Sequence, residues 1–411
     1  MSELSGRVVL GIALATLGMA CNPENKSAPG GIASAPGGIA SAPGAITSAP
    51  QAPSTIPAAA PSDAGPGPAA RRDRLVVIAG GDVFFGRGHG QILLRDPEHD
   101  PFRTVQALFA TADVRFANLE SQLSDQRGET GHPENKLIFT GPPSGADALR
   151  RGGMTIVSTA NNHMWDYGKA ALFETMDNLD RVGVLYVGSG RTRERAYGPV
   201  IVEREGFRVA FLAVTDIWNQ GPLRVHPGRE FVAMAEAEPL AQAVRALRAD
   251  PTVDTIIVSY HGGSEYMEEP MQTTRAIVHA AVDAGADVIV GHHPHVVQGI
   301  GWYRGKPILY SLGNFTMGMH QDHAWSQMGY LARITLRRGA APEIEACPYR
   351  LRGFEPVPLA GDPQRPHYEK HFFTKFERIS RQVAGTTIGP VGSDGCAPVT
   401  PPAKPFPGAI P

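Results

Sequence analysis

Short Val/Ile-rich runs alternate with stretches of helical spacing from residue 74 to residue 336, and this alternation limits the chain to a layered α/β arrangement. RLVVIAGG at 74–81, MTIVS at 154–158, FRVAFLAV at 207–214, TIIVS at 255–259 and DVIV at 287–290 read as buried strands. Further strands are expected at 114–118, 307–311 and 330–336. Between them lie helical patterns at 101–112, 145–151, 169–181, 239–248 and 271–284. Phe102, Val105, Leu108 and Phe109 share one face of the first, and Leu172, Met176 and Leu179 one face of the third. The Gly86, Gly88, Gly90 spacing follows a strand, but no helical pattern opens there and Pro97 and Pro101 come soon after. It is therefore expected to be a loop and not a dinucleotide-binding turn.

The runs end alike. Asp82 follows the first, Asn118 and Glu120 the second, and Asn161, Asn162 and His163 follow MTIVS. His261 follows TIIVS, and GHHPH at 291–295 follows DVIV. Ligand sites in open α/β sheets assemble at the carboxyl ends of strands, so five strand ends are expected to deliver metal-type side chains to one rim. Carboxylate, imidazole and amide oxygen together suit a divalent Mn, Fe or Zn ion, and the lack of thiolate argues against a closed structural zinc site. A carboxylate between two ions can bridge them, and paired ions activate water and clamp an oxyanion. His163, beside Asn162, would then be free to act as general acid. Singly, these residues have plainer roles: Asp82 could cap a turn, Glu120 could sit in a solvated loop, and His261 could be a hydrogen-bonded core histidine. His292, His293 and His295, packed into one short run after an apolar strand, are not a packing solution.

The N-terminus reads as an address. Residues 8–20, VVLGIALATLGMA, are too short to span a bilayer but fit the apolar part of a secretory signal. The run ends in GMAC, similar to a bacterial lipoprotein signal in which Cys21 is acylated; the alternative is plain cleavage near Ala20. Residues 22–70 carry the repeat SAPGGIA, SAPGGIA, SAPGAIT and are expected to form a disordered tether. Residues 71–360 would be the folded domain. Residues 361–411 would be a C-terminal extension with one helix at 366–385 and a disordered Pro-rich end from Gly395. With 38 Lys+Arg against 40 Asp+Glu, charge gives no argument for nucleic acid as partner. Three cysteines exclude a disulfide scaffold; Cys347 and Cys396 could pair in an oxidising compartment or remain free thiols.

GDVFFGRG at 81–88, FANLE at 116–120, ANNHMWDYG at 160–168, YHGGSEY at 260–266, GADVIVGHHPHV at 285–296 and YSLGNF at 310–315 occur in one order. In these motifs the chain resembles the CapA family of bacterial capsule and poly-γ-glutamate synthesis proteins. That family is similar in turn to calcineurin-like metallophosphoesterases, which implies a four-layered α/β/β/α sandwich. By that resemblance Asp82 matches the leading aspartate, and Glu120 stands where the phosphoesterases place a bridging aspartate. Asn162 and His163 match a metal ligand followed by a catalytic acid. His261 matches the histidine after a middle strand, and His293 and His295 the final His-x-His. Asn161, Asp166, Glu265, His292 and Asn314 are expected to support these ligands or to touch substrate. Two positions depart: Phe84 stands in place of a histidine, and Glu120 is one methylene longer than aspartate, so the site would hold one ion or two.

The resemblance implies an extracytoplasmic, membrane-anchored protein that works with the capsule or poly-γ-glutamate synthesis machinery on an anionic cell-surface polymer. One form of this is a metal-dependent hydrolase acting on a phosphoester or amide. The alternative is a non-catalytic assembly factor that binds the polymer through a degenerate metal site.

Overall fold

Backbone packing along the first motif shows how the fold builds its site. A computed structural model describes residues 72–318 and 324–403, all within the compact unit Ala52–Pro411. The signal-like segment, Cys21 and the repeat tether lie outside the described residues. Strand β1 (Arg74–Val83) is buried beyond its first residue and runs into helix α1 (Arg87–Arg95). Here the expected loop at Gly86, Gly88 and Gly90 is corrected: a helix does open at Arg87. Its apolar period is hard to see because a glycine faces inward; a Cβ on Gly90 would lie 2.6 Å from the Phe85 carbonyl. Pro97 and Pro101 follow the end of this helix and do not interrupt it.

The helix expected at 101–112 shrinks to a 3-10 turn and the single turn α2 (Gln106–Phe109). Next come β2 (Val114–Leu119), β3 (Gln122–Leu123), β4 (Thr140–Gly141), α3 (Ser144–Arg151) and β5 (Ile156–Ser158). Helix α4 (Gly168–Val182) ends at Gly183, whose φ of 70° supplies a left-handed cap. It leads to β6 (Leu185–Val187), α5 (Arg193–Tyr197), β7 (Val200–Arg204) and β8 (Phe207–Thr215). Then follow α6 (Ala237–Ala249), β9 (Thr255–His261), α7 (Gln272–Ala284), β10 (Val288–His292), β11 (Ile300–Tyr303) and β12 (Lys306–Leu309). The chain closes with β13 (Met328–Arg337), β14 (Glu343–Arg352), β15 (Glu355–Pro358), α8 (Arg365–Ala384), β16 (Thr387–Ile388) and β17 (Ala397–Thr400).

Among the described residues these strands form two large sheets and the separate short pair β3-β4. The first has the order β16-β17-β14-β13-β1-β2-β5-β6, with β15 beside β14; the second has the order β11-β12-β10-β9-β8-β7. Strands β1, β2, β5 and β6 are parallel, as are β8, β9, β10 and β12. Alternation along β8 explains the layering. Phe207, Val209, Phe211 and Ala213 face the first sheet, where Phe211 stacks on Phe116 at 5.5 Å. Ala210, Leu212 and Val214 face outward, in a cluster with Leu240 and Val244 of α6 and Val278 of α7. The stripe Leu172, Met176 and Leu179 of α4 joins the core shared with the first sheet. The result is the expected four-layered α/β/β/α sandwich.

The C-terminal extension is woven into the first sheet. Phe372 and Phe376 of α8 pack on Tyr330 with ring centroids 6.4 and 5.1 Å apart. Strand β17 pairs with β14, Ile344 opposite Val399 and Ala346 opposite Ala397, and a disulfide joins Cys347 to Cys396. The disorder expected from Gly395 is thus corrected through Thr400. Ala397 and Val399 bury alternately, a strand pattern that the neighbouring prolines mask.

Candidate metal centre

The rim begins with a bulge. Pairing of β1 with β2 shifts register between Ala79 and Asp82, which re-aims the aspartate at the end of the strand. Gly81 permits this: a Cβ there would stand 1.7 Å from the Gly313 carbonyl. The backbone of Asp82 then pins the 313–316 segment, donating to Gly313 O and accepting from Phe315 and Thr316. On the second sheet Thr215, His261 and His292 share one register line, so β8, β9 and β10 end level.

Asp82, Glu120, His261, His292, His293 and His295 converge there, all buried. Two ligand sets emerge: Asp82, Glu120 and His295, and Glu120, His261 and His293, the ligand atoms of each within 4.8 Å of one another. Glu120 belongs to both. Its Oε1 lies 3.8 Å from the Nε2 of His261 and 3.8 Å from the Nε2 of His295, and has no hydrogen-bond partner. His293 Nδ1 is likewise buried without a partner. A buried unpaired polar group costs about 1–3 kcal/mol, so several such atoms facing one another call for a ligand. Carboxylate and imidazole donors fit a divalent first-row ion at either set.

Asn118 is the hub that sequence reasoning left out of the ligand and catalytic set. Its Nδ2 reaches Asp82 Oδ1 at 2.9 Å, Glu120 Oε2 at 3.4 Å and His261 Nδ1 at 3.2 Å, while its Oδ1 accepts from Asn161 Nδ2 at 3.1 Å. Its position in FANLE, two residues before Glu120 on the same strand face, was the available signal. Asn162 Oδ1 lies 2.8 Å from His261 Nε2, beside the second set. Asn314 Oδ1 sits 3.0 Å from His295 Nδ1 and holds that ring. His292 Nδ1 approaches Asp82 Oδ1 at 3.3 Å.

Backbone strain marks the same residues. His293 and His295 have φ of 98° and 56°, a region costly for side chains with a Cβ. Hydrogen bonds hold it: His293 N donates to Asp82 Oδ2 and Tyr266 N to Pro294 O. Electrostatics are polarised as well. Burial and the neighbouring Asp82 and Glu265 charges raise the Glu120 carboxyl well above its usual range. Burial also raises Asp82, but the His292 and His295 imidazoles beside it outweigh that and hold the carboxyl well below. Burial and the nearby His295 push His293 down to about 3.

Beside these two candidate ligand sets stands a second unit. His163 Nδ1 is 2.8 Å from Asp166 Oδ2, and its ring lies on Phe139 at 4.0 Å. Asp166 also accepts from Phe139 N at 3.0 Å and from Gln220 Nε2 at 2.8 Å. Asn219 Oδ1 takes Asn162 Nδ2 at 3.1 Å. Sequence reasoning missed Asn219 and Gln220, because they come from the loop after β8 and nothing local marks them. Asn161 fixes the turn, accepting from His163 N and donating to Leu119 O. Glu265 is exposed on the wall of a cavity of about 1000 Å³ that reaches His163 and His295. Phe84, where the phosphoesterase pattern has a histidine, packs on Phe139 and Met317 and supplies no ligand.

Comparison with known proteins agrees with the motifs. The bacterial capsule synthesis protein PGA_cap family matches residues 76–319. The capsule biosynthesis protein CapA of Bacillus anthracis is 29% identical over 70% of this chain and 70% of its own length. The PGA biosynthesis protein CapA of Bacillus subtilis is 29% identical over 69% of this chain and 73% of its own length. Among solved structures, a putative 5'-nucleotidase from Staphylococcus aureus has a TM-score of 0.43 at 14% identity, covering 74% of this chain and 59% of that one. With more than half of its residues matched in sequence, the chain belongs to the bacterial capsule synthesis protein PGA_cap family.

Proposed function

We propose that this family member is a divalent-metal-dependent hydrolase acting on a phosphoester or amide of an anionic cell-surface polymer during capsule or poly-γ-glutamate synthesis or export. The observation that carries this reading is the Glu120 carboxylate, buried, partnerless at Oε1 and common to both ligand sets. Asp82 and His295 would hold one Mn, Fe or Zn ion and His261, His293 and Asn162 another, with Glu120 shared. Ions bound there would polarise the scissile group and lower the pKa of water.

The remaining steps belong to the chain. Asp166 Oδ2 accepts a hydrogen bond from His163 Nδ1–H and orients the ring, leaving Nε2–H to protonate the departing oxygen or nitrogen. Phe139 and Gln220 hold Asp166 in that orientation. Strand-end rigidity keeps acid and ligands in register.

The same proposal places the domain outside the cytoplasm, anchored by an acyl group on Cys21. The Cys347–Cys396 disulfide supports an oxidising compartment. No helix among the described residues is long and apolar enough to cross a membrane. The partners would be the acidic polymer and its synthesis machinery, with no nucleic acid. Phe84 favours the other reading, a polymer-binding assembly factor whose metal site has decayed.

Metal analysis of the full chain, followed by assays on bis(p-nitrophenyl) phosphate and γ-glutamyl p-nitroanilide, separates the two. Tightly held transition metal with turnover of either substrate supports the hydrolase. A folded, metal-free protein that cleaves neither sinks it and leaves the assembly role.

A further inference from the structure

One cation on the cavity wall has no part in the ligand sets or the His163–Asp166 pair. Arg87 opens α1 with φ of 51°, a left-handed conformation that a side chain with a Cβ adopts only under constraint. Thr130 supplies the constraint from both sides: Arg87 N donates to Thr130 O at 2.6 Å, and Thr130 Oγ1 donates to Arg87 O at 2.9 Å. The strain is therefore held by built contacts.

What it achieves is the placement of the guanidinium. Arg87 Cζ lies 4.8 Å from the centre of the Phe139 ring and 5.7 Å from that of Phe84. The His163 ring also lies on Phe139, at 4.0 Å. Arg87 and the proposed acid His163 thus share Phe139 as a common ring neighbour. Arg87 Nη2 donates to the Lys136 carbonyl and not to a carboxylate, and both Arg87 and Lys136 line the cavity. Of the acids on that wall, Glu129 is taken by the Tyr167 hydroxyl, and the charge of Glu265 acts on Glu120 and His295 at the metal end. The cavity thus has Glu265 and His295 at the metal-ligand end, and Arg87 and Lys136, with Glu129 nearby, at the other.

We propose that Arg87, assisted by Lys136, forms an oxyanion subsite that grips the carboxylate or phosphate of the polymer unit next to the scissile bond. This rests on the reading that the rim acts on an anionic polymer. With Nη2 anchored on the Lys136 carbonyl, the planar guanidinium still has its other N–H donors to offer either oxyanion. The rings beneath it exclude water on one side, which strengthens the contact.

The test uses the full chain loaded with Mn and three probes: a γ-linked glutamate oligomer, a glycerol phosphate oligomer, and the glutamate oligomer with its side carboxylates amidated. Titration of wild type, Arg87→Ala, Arg87→Lys and Lys136→Ala is read beside metal content. Arg87→Ala is expected to weaken one charged probe by on the order of tenfold to a hundredfold, leaving the amidated probe and the metal content unchanged. Arg87→Lys should recover part of the loss and Lys136→Ala should lose several-fold. Whichever charged probe responds identifies carboxylate or phosphate as the ligand. Should Arg87→Ala fail to fold, Lys136→Ala and the preference of wild type for charged over amidated probe decide. Equal binding of charged and amidated probes by wild type, or unchanged affinity in folded Arg87 and Lys136 variants, overturns the subsite. Arg87-dependent binding in a metal-free, inactive protein would keep the subsite and sink the hydrolase. Metal and turnover with Arg87-independent binding would do the reverse.

Discussion

The rim and the C-terminal seam both bury charge, and they treat it in opposite ways. In the seam formed by β13, β14, β17 and α8, charges are matched. Arg333 meets Glu345 and Asp394, each at 2.7 Å, and Arg350 and Arg352 meet the buried Asp362. The disulfide crosses the same region. At the rim, Glu120 Oε1, His293 Nδ1 and both ring nitrogens of His292 lack hydrogen-bond partners. The Asp362 carboxyl is held below its usual range by hydrogen bonds from Arg350, whereas the Glu120 carboxyl is pushed above by burial. Matched buried charge stabilises a fold; unmatched buried charge costs stability and is kept for a ligand.

Glu120→Ala should break this contrast most severely. It removes the shared ligand, so bound metal should disappear and kcat/KM on any substrate found should drop by on the order of 10³-fold or more. Without metal, the variant should melt no lower than metal-stripped wild type, because a buried unpaired carboxylate is gone; a clearly lower Tm would show that Glu120 is structural. His163→Ala is expected to keep its metal while kcat drops by about 10²–10⁴-fold. Loss of metal together with rate would remove His163 from the acid role.

Effects at the seam should appear as stability alone. The disulfide spans 49 residues, and Cys347→Ser with Cys396→Ser should cost about 4 kcal/mol in denaturant unfolding, with metal content unchanged. The smallest effect concerns pH. Asp362 has a depressed folded pKa, so its stabilisation is present above its unfolded value, about 4, and is lost as pH falls through the folded value. Asp362→Asn should therefore flatten the acid limb of Tm against pH and leave the rim's metal content untouched. An unchanged acid limb would assign the acid sensitivity to other carboxylates.

The rim was largely legible because its signal is local. A strand end followed by Asp82, by Glu120, by Asn162 and His163, or by GHHPH can be read within a few residues. A parallel sheet then brings such ends together. Helix α1 was hidden because it packs through Gly90, which carries no hydropathy signal. Strand β17 was hidden because prolines flank and interrupt its alternation. Neither failure touches the candidate ligands, which do not lie on those elements.

By itself the amino-acid sequence determined the alternation of strands and helices, the strand ends that carry donor atoms, and the family motifs. Only the tertiary structure decided that Asn118 ties Asp82 to His261, and that Gln220 and Asn219 reach across to Asp166 and Asn162. The physical reason is range. Periodicity and turn chemistry act over a few residues, whereas these contacts join strand ends and loops of two different sheets and form only when burial of both inner faces brings the sheets together.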